Sequence, residues 1–479
     1  MQQPLLKLLG QEAAQLGYIA YVVGGFVRDS VLSRSQASFL DIDIVLDIDI
    51  AQNAAVDQLD SDSSSDLPSS GLRGIVFAHH LQKKYGGHII THSTFGTAKW
   101  IMNDPSAPLR HLPLDPPVRD SLPAEIDLVT ARNEQYPEPA ALPIITPSDL
   151  ADDLRRRDIT INMLAVCLAP NRWQQLCDQH NSLHDIKAGL VRVLHDQSFI
   201  DDPTRIFRAI RYECRYQFTI EPHTFNLLQQ ALPQIAKLSP VRIRHELDRT
   251  LSEDTIPELT LQRMDQLGVL TAIHQQLWLP PQTGQTFSAL RTTLTQPSTG
   301  VQEAARKILA VEAINQLYWV QLLALLHPPK ISSAIGKRLG LPKETIHAAH
   351  DLYVLMQIST WPTSAHKSSI QQGIAAPNCG VLLPSQIVAS ISQFDSLAIA
   401  LFATDEQSPQ QHRLYAAQYL AEWRHSKPLL NGNDLRALGI APGPQYRLLL
   451  NALHNLRLDG ILTDRESEVA YIQGQIAAL

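Results

Sequence analysis

The chain has few cysteines, no long apolar run and no excess of positive charge, and each shortage removes a class of protein. Only four cysteines, Cys167, Cys177, Cys214 and Cys379, occur in 479 residues. They show neither CxxC pairing nor zinc-ligand spacing, which argues against a disulfide scaffold and against structural zinc. Ordinary buried thiols in a reducing compartment are expected instead. No stretch runs to the roughly 18 apolar residues that a membrane helix needs. The opening MQQPLLKLLGQEAAQLGY lacks the basic start and unbroken apolar core of a signal peptide. A cytoplasmic protein with no membrane partner is therefore expected. The formal net charge of −7 does not advertise a nucleic-acid binder either. That charge is uneven, however. Leu154 to Thr250 holds 14 Lys and Arg against 10 Asp and Glu, so this stretch is positive and the remainder strongly acidic. A local basic surface inside an acidic protein is enough for phosphate contacts.

What is present is length and apolar content, 44% hydrophobic, ample for several cores. The first 145 residues mix short β-branched runs with helical periods, which predicts an α+β unit. Ile19–Val23, Ile42–Leu46, His88–Thr91 and Ile126–Val129 read as strands, and Gln11–Leu16 and Phe26–Leu32 as helix. The Ser/Asp-rich stretch Asp57–Gly71 and the stretch Asn103–Ala124, with six prolines, read as loops. From about Leu150 the pattern becomes helical nearly throughout, with start signals at Asp202-Pro203 and Ser239-Pro240. The expected division is a catalytic head over 1–149, a helical neck over 150–250, a helical body over 251–428 and a tail over 429–479. No tandem repeat of fixed period is found.

Two segments close together carry chemistry. VVGGFVRD, Val22 to Asp29, sets a Gly-Gly pair between a strand and a helix, where bare backbone approaches a phosphate and Arg28 adds charge. LDIDIV, Leu40 to Val45, follows. In Asp41-x-Asp43 the strand period of two puts both carboxylates on one face. Two adjacent carboxylates repel each other and call for a cation. Mg²⁺ takes hard oxygen ligands and is commonly held by one or two carboxylates plus substrate phosphates, so the pair is a candidate two-metal site for phosphoryl transfer. Alone, Gly-Gly marks any tight turn and DxD a solvated edge. The order strand, Gly-Gly, helix with Arg, strand with DxD is what points to chemistry. Asp47-x-Asp49 repeats the spacing and reads as a surface continuation of the strand or the turn after it.

GGFVRD with DIDIV resembles the first motif of the class II tRNA nucleotidyltransferase and bacterial poly(A) polymerase family. The resemblance implies a polymerase-beta-like nucleotidyltransferase head of mixed sheet and helices, followed by an all-α neck, body and tail. It makes Gly24, Gly25 and Arg28 nucleotide contacts, and Asp41 and Asp43 the catalytic ligands of two Mg²⁺ ions. DDLRRRDITINMLA, Asp152 to Ala165, resembles the family's RRDFTINA motif with Ile159 in place of Phe, and assigns Arg157 to the nucleotide. Asp158 and Asn162 are expected to hold the local turn through hydrogen bonds.

DDPTRIFRAIRYECRY, Asp201 to Tyr216, spaces Arg205, Arg208, Arg211 and Arg215 along one broad helix face. It is similar to the family's EDxxR motif, with Asp201 in place of Glu. The likeness implies that Asp202 and Arg205 read the incoming base by its Watson–Crick edge, while Arg208 and Arg211 support them or reach phosphates. An Asp there accepts from the exocyclic amino group that C and A share, and rejects the carbonyl of G and U. Asp127, in Glu125 to Pro143, is either a third metal carboxylate or a strand-edge acid, and Arg132 is likewise undecided. Leu238–Leu251 resembles the family's RNA-binding helical region and Leu430–Glu466 its tail.

These likenesses imply addition of CMP, AMP or both to the 3′ end of tRNA, with ATP and CTP as substrates, the tRNA acceptor end as partner and no role for DNA. Open-ended tailing by a poly(A) polymerase shares every residue named, and CC-only or A-only addition also fits. Two rivals come from other classes. A non-catalytic RNA-binding module requires loss of a metal carboxylate, yet both are present. A phosphohydrolase of the HD kind requires more than His350-Asp351 with His327 and His347 upstream, so His350 reads as an ordinary helical histidine.

Overall fold

Among the described residues, short Ile- and Val-rich runs in the first 180 positions pair into one seven-stranded mixed sheet. The computed structural model describes residues 3–32, 42–48, 72–110, 112–297, 300–326, 328–358 and 382–477. The chain divides into two units, Met1–Arg242 with Leu267–Ala272, and Ile243–Gln266 with Ile273–Leu479. In the first unit the elements begin α1 (Gln3–Gln15), β1 (Tyr18–Val23), α2 (Gly25–Val31), β2 (Ile42–Ile48), α3 (Arg73–Tyr85), β3 (His88–His92) and β4 (Thr97–Ile101). They continue α4 (Pro116–Arg119), β5 (Glu125–Thr130), β6 (Arg132–Gln135), β7 (Ile144–Pro147), α5 (Leu150–Arg155), β8 (Leu164–Cys167) and β9 (Leu176–Asp178). After these come α6 (Ser182–Ala188), β10 (Leu190–Val191), α7 (Ser198–Asp201), α8 (Thr204–Tyr216), β11 (Thr219–Ile220), α9 (Pro222–Ala231) and the start of α10 (Pro240–Glu253).

The sheet runs β3-β4-β5-β2-β1-β8-β9. Only β2 and β5 are parallel; the other neighbours are antiparallel. Alternation sorts the side chains. Ala20, Val22, Ile42, Ile44, Leu46, Ala98, Trp100, Ile126 and Leu128 share one face. There α1 and α3 bring Leu5, Leu9, Phe77 and Leu81, all fully buried. Each such side chain contributes about 1.5–3 kcal/mol on leaving water. Glu12 fastens the two helices: its buried carboxylate accepts from Lys84 Nζ and the Tyr85 hydroxyl and pairs with His80 Nε2, each at 2.8 Å. The opposite face packs Ile19, Tyr21, Val23, Val45, Met163, Ala165 and Cys167 under Leu150 and Leu154 of α5, and farther along leaves Glu125, Asp127 and Val129 half-buried.

The four expected strands are present. Two expectations need correction. A head ending at 149 is too short, because β8 pairs with β1 and β9 with β8 in the same sheet. The helical reading after Leu150 also overlooks four strands, two of them only two residues long and paired in parallel as β10 and β11. Strands of two to four residues are too short to register as a period. Asn103–Ala124 is irregular apart from α4, as expected, while Asp57–Gly71 lies outside the described residues.

The second unit is helical among the described residues. Ile314–Leu325 and Ser396–Thr404 are apolar nearly all round and lie buried at its centre. Phe287 and Tyr318 pack there as a tilted pair with ring centroids 4.2 Å apart. The last three helices, Gly432–Ala437, Gln445–Leu458 and Arg465–Ala477, enclose a core of Leu430, Leu435, Leu453, Leu462 and Ile472. Buried Glu468 seals it by accepting from the Leu429 and Leu430 amides. Among the described residues no single helix is long and apolar enough to cross a membrane.

Candidate nucleotidyl-transfer site

The turn between β1 and α2 requires glycine. Gly24 has φ of +69°, and a Cβ there would lie 2.9 Å from Arg157 Nη1 and 3.8 Å from Asp43 Oδ2. Three residues far apart in sequence therefore meet at one bare stretch of backbone, which suits close approach by a phosphate. Gly25 opens α2 and faces the Arg28 guanidinium, which is 3.4 Å from where its Cβ would be.

Asp43 sits in β2 directly across from Val23 in β1 and from Asp127 in β5. Directly paired residues on neighbouring strands point to the same face, so the two carboxylates stand side by side. Lys99 in β4 is the next residue in that row; its Nζ lies 3.4 Å from Asp127 Oδ2 and also contacts Glu125. Asp41 lies outside the described residues. Among the described residues no group of three His, Cys, Asp or Glu side chains gathers as a metal cage. Asp47 continues β2, one of the two readings expected, but it is not a surface acid: its largely buried carboxylate accepts from the Ile48 and Leu150 amides near Arg73. Asp49 lies outside the described residues.

Arg157 is held by one end. Its Nη2 donates to Asp153 at 3.0 Å, leaving Nη1 beside Gly24, and its buried Nε has no hydrogen-bond partner among the described residues. Asp153 is fully buried, which pushes its carboxyl up, but Arg156 and Arg157 outweigh that and hold it below the ordinary range. The pairs continue outward: Arg156 donates to Glu134 at 2.9 Å, and Glu134 accepts from Arg132 at 3.1 Å. Arg132, undecided on sequence, also donates to the Phe95 carbonyl. Asp158 and Asn162 hold the local turn as expected, Asp158 Oδ1 accepting from the Ile159 amide and from Asn162 Nδ2. Burial opposes ionisation of Asp158, but the Arg208 ion pair at 2.6 Å and the Asn162 hydrogen bond bring its pKa down to about 2.

Arg28 departs from expectation. It is 5% exposed, chelates Asp29 through Nε and Nη2, and donates Nη1 to Asn162. Its guanidinium also lies over the Tyr216 ring at 4.5 Å, and the Tyr216 hydroxyl donates to Asp29. The charge that the sequence offered to a triphosphate is committed to joining α2 to α8. Arg211, expected as support or as a phosphate contact, is 1% exposed and therefore does not reach a phosphate as it stands. Ile206, Phe207 and Ile210 are fully buried beside it, so the arginine stripe of α8 is largely interior.

Asp202 and Arg205 stand one turn apart at the start of α8. Asp202 Oδ1 accepts from the Thr204 amide and hydroxyl and from Arg242 Nη2 at 2.7 Å. Arg205 is buried, donating Nη1 to Ser198 and Nη2 to the Arg156 carbonyl, both at 2.8 Å. The Tyr136 ring lies 5.9 Å from its guanidinium carbon, and Arg242 Nη1 donates to the Ala140 carbonyl. Sequence reasoning missed Lys99, Tyr136, Asp153 and Arg242 as parts of this neighbourhood. Lys99 had a local signal in the alternation of Thr97–Ile101, and Asp153 and Arg242 lie within the Asp152–Ala165 and Leu238–Leu251 segments already read as motifs.

The HD dipeptide gathers no metal-binding partners among the described residues. His347 and His350 are well exposed, buried Asp351 accepts from the Asp395 amide, and His327 lies outside the described residues. Cys167, Cys177 and Cys214 form no disulfide among the described residues, and Cys379 lies outside the described residues.

Residues 20–192 match the model of the poly A polymerase head domain, and residues 217–279 that of the probable RNA and SrmB-binding site of polymerase A. An A-adding tRNA nucleotidyltransferase of Geobacter sulfurreducens is 29% identical over 97% of this chain and 46% of its own length. The chain thus spans about half of that relative. A second A-adding tRNA nucleotidyltransferase, of Halalkalibacterium halodurans, is 27% identical over 95% of this chain and 88% of its own. A solved apo structure of a CCA-adding enzyme superposes over 99% of this chain and 95% of that one, with 25% identity and a TM-score of 0.68. With this head, this RNA-binding segment and these relatives, the chain carries a poly A polymerase head domain and is similar along nearly its whole length to tRNA nucleotidyltransferases.

Proposed function

We propose that the chain adds CMP, AMP or both, without a nucleic-acid template, to the 3′ end of tRNA, releasing pyrophosphate from CTP or ATP. The observation that carries this reading is the register of Asp43 against Asp127 beside the Gly24 turn and Arg157. Two carboxylates side by side on a half-exposed sheet face are a hard oxygen donor set that fits Mg²⁺, and Asp41 is assigned to the same site. Two such ions, when bound, lower the pKa of an attacking 3′-hydroxyl and neutralise the departing pyrophosphate.

The protein's own groups do the rest. The left-handed Gly24 turn admits the triphosphate against backbone, and Arg157, tethered by Asp153, offers Nη1 to its oxygens. Arg28, locked to Asp29, Asn162 and Tyr216, positions α2 from behind. Arg208 holds Asp158 in the same supporting layer, and Arg211 acts from the interior of α8. Asp202 keeps Oδ2 for an exocyclic amino group while Oδ1 stays on Thr204 and Arg242. Arg205 exchanges its bond to Ser198 or to the Arg156 carbonyl for a ring acceptor on the base. Basic side chains of the helical region hold the acceptor stem through phosphates and shape. A reducing, cytoplasmic setting agrees with Cys167, Cys177 and Cys214 forming no disulfide among the described residues.

The names of the two relatives that match along nearly the whole chain favour a narrower version, in which the chain adds only the terminal A. One assay decides. Purified protein receives tRNA transcripts ending before CCA, at C and at CC, with each labelled nucleotide in turn. Complete addition extends the first two with C and then A and the third with A alone; A-only addition extends only the CC transcript, with one A. Long adenylate tails on unrelated RNA favour the poly(A) polymerase reading, and no incorporation into any transcript overturns nucleotidyl transfer altogether.

A further inference from the structure

Lys99, Asp127 and Asp43 form one row across β4, β5 and β2, with every side chain on the same face. The Lys99 ammonium stands between two carboxylates, Asp127 Oδ2 at 3.4 Å and Glu125 at closer range. All three are more than a third exposed, so their contacts exchange readily with water and ions. Lysine carries a compact charge on a flexible stem, and its nearer partner is Glu125. The ammonium can therefore give up Asp127 without leaving the row.

We propose that Lys99 sets the metal affinity of this site by competing with the cation for Asp127, with Glu125 as the carboxylate that retains the ammonium once Asp127 turns to the metal. The inference rests on the metal-ligand reading of Asp127 and adds a positioning residue to it. An empty site then does not leave its acidic row uncompensated, and the affinity for a divalent ion is held below what the carboxylates alone would give.

The test is direct binding of Mn²⁺ to the full chain without nucleotide, followed by loss of the free-ion electron paramagnetic resonance signal. Lys99→Met should bind Mn²⁺ about two- to fivefold more tightly, the size expected when an exposed ion pair no longer competes for the Asp127 carboxylate. Lys99→Arg should stay near the parent. In an Asp127→Asn background, which itself should bind more weakly, Lys99→Met should gain nothing. Unchanged or weaker binding by Lys99→Met overturns the proposal while leaving the metal site standing. A gain that persists without the Asp127 carboxylate also overturns it, because the lysine would then act only through its field. Undiminished Mn²⁺ binding by Asp127→Asn overturns the reading of Asp127 as a ligand, and the proposal with it.

Discussion

Asp43 and Asp127 do not need each other for folding, since both lie on a half-exposed face rather than in the core. Asp43→Asn or Asp127→Asn should therefore lower nucleotide incorporation at least about a hundredfold, the scale of losing one electrostatic group from a transition state, with the melting temperature nearly unchanged. Retained Mg²⁺-dependent incorporation would remove the carboxylate from the site. Asp158 behaves in the opposite way. Its folded pKa of about 2 lies below the ordinary 3.8, so its contribution is present in full above about pH 4 and is lost as pH falls toward 2. The shift is worth about 2 kcal/mol. Asp158→Asn should lose about that much stability at pH 7 and flatten the acid limb of a denaturation series; an unaltered limb would mean Arg208 contributes nothing. Such roles were only partly legible. Asp43 and Gly24 announce themselves by local spacing. Arg28 looks the same on paper whether it meets a phosphate or Tyr216, because its partners lie 134 and 188 positions away.

At the level of elements, the alternating ion pairs Arg132, Glu134, Arg156, Asp153 and Arg157 run from β6 to the Gly24 turn. The Arg156 carbonyl also holds Arg205. Removing one partner from a buried pair costs about 3–5 kcal/mol. Glu134→Gln should approach 3 kcal/mol in urea unfolding and also relax the preference for C and A over G and U, because Arg156, whose carbonyl holds Arg205, keeps only Asp153 of its two carboxylate partners. An unchanged unfolding midpoint would show the chain of pairs to be dispensable. Strands rich in Ile and Val were readable, Ile42–Leu46 above all. Thr97–Ile101 escaped because its alternation lasts only five residues, too few to stand out as a period, and Leu164–Cys167 because four residues between tight turns show none. Its place in the sheet is fixed by β1, some 140 residues earlier, which no local window contains.

For the whole molecule, a net charge of −7 means that the proposed tRNA substrate has to be held by local basic surface against a repulsive background. Affinity for tRNA should fall with salt, with a log–log slope on the order of −3 if about four phosphates are contacted; a slope near zero would assign binding to shape and stacking. The uneven charge was visible in the sequence, and so was the change from mixed α/β to helical character. Where the sheet stops was not, since that depends on which distant strands pair. The central strand β2 has one further consequence. Laced to a neighbour on each side, it has no free border from which to fray. Its amide hydrogens should be among the slowest in the protein to exchange with solvent, and gentle warming should scramble the choice of letter before it loosens the anchor on which that letter is joined.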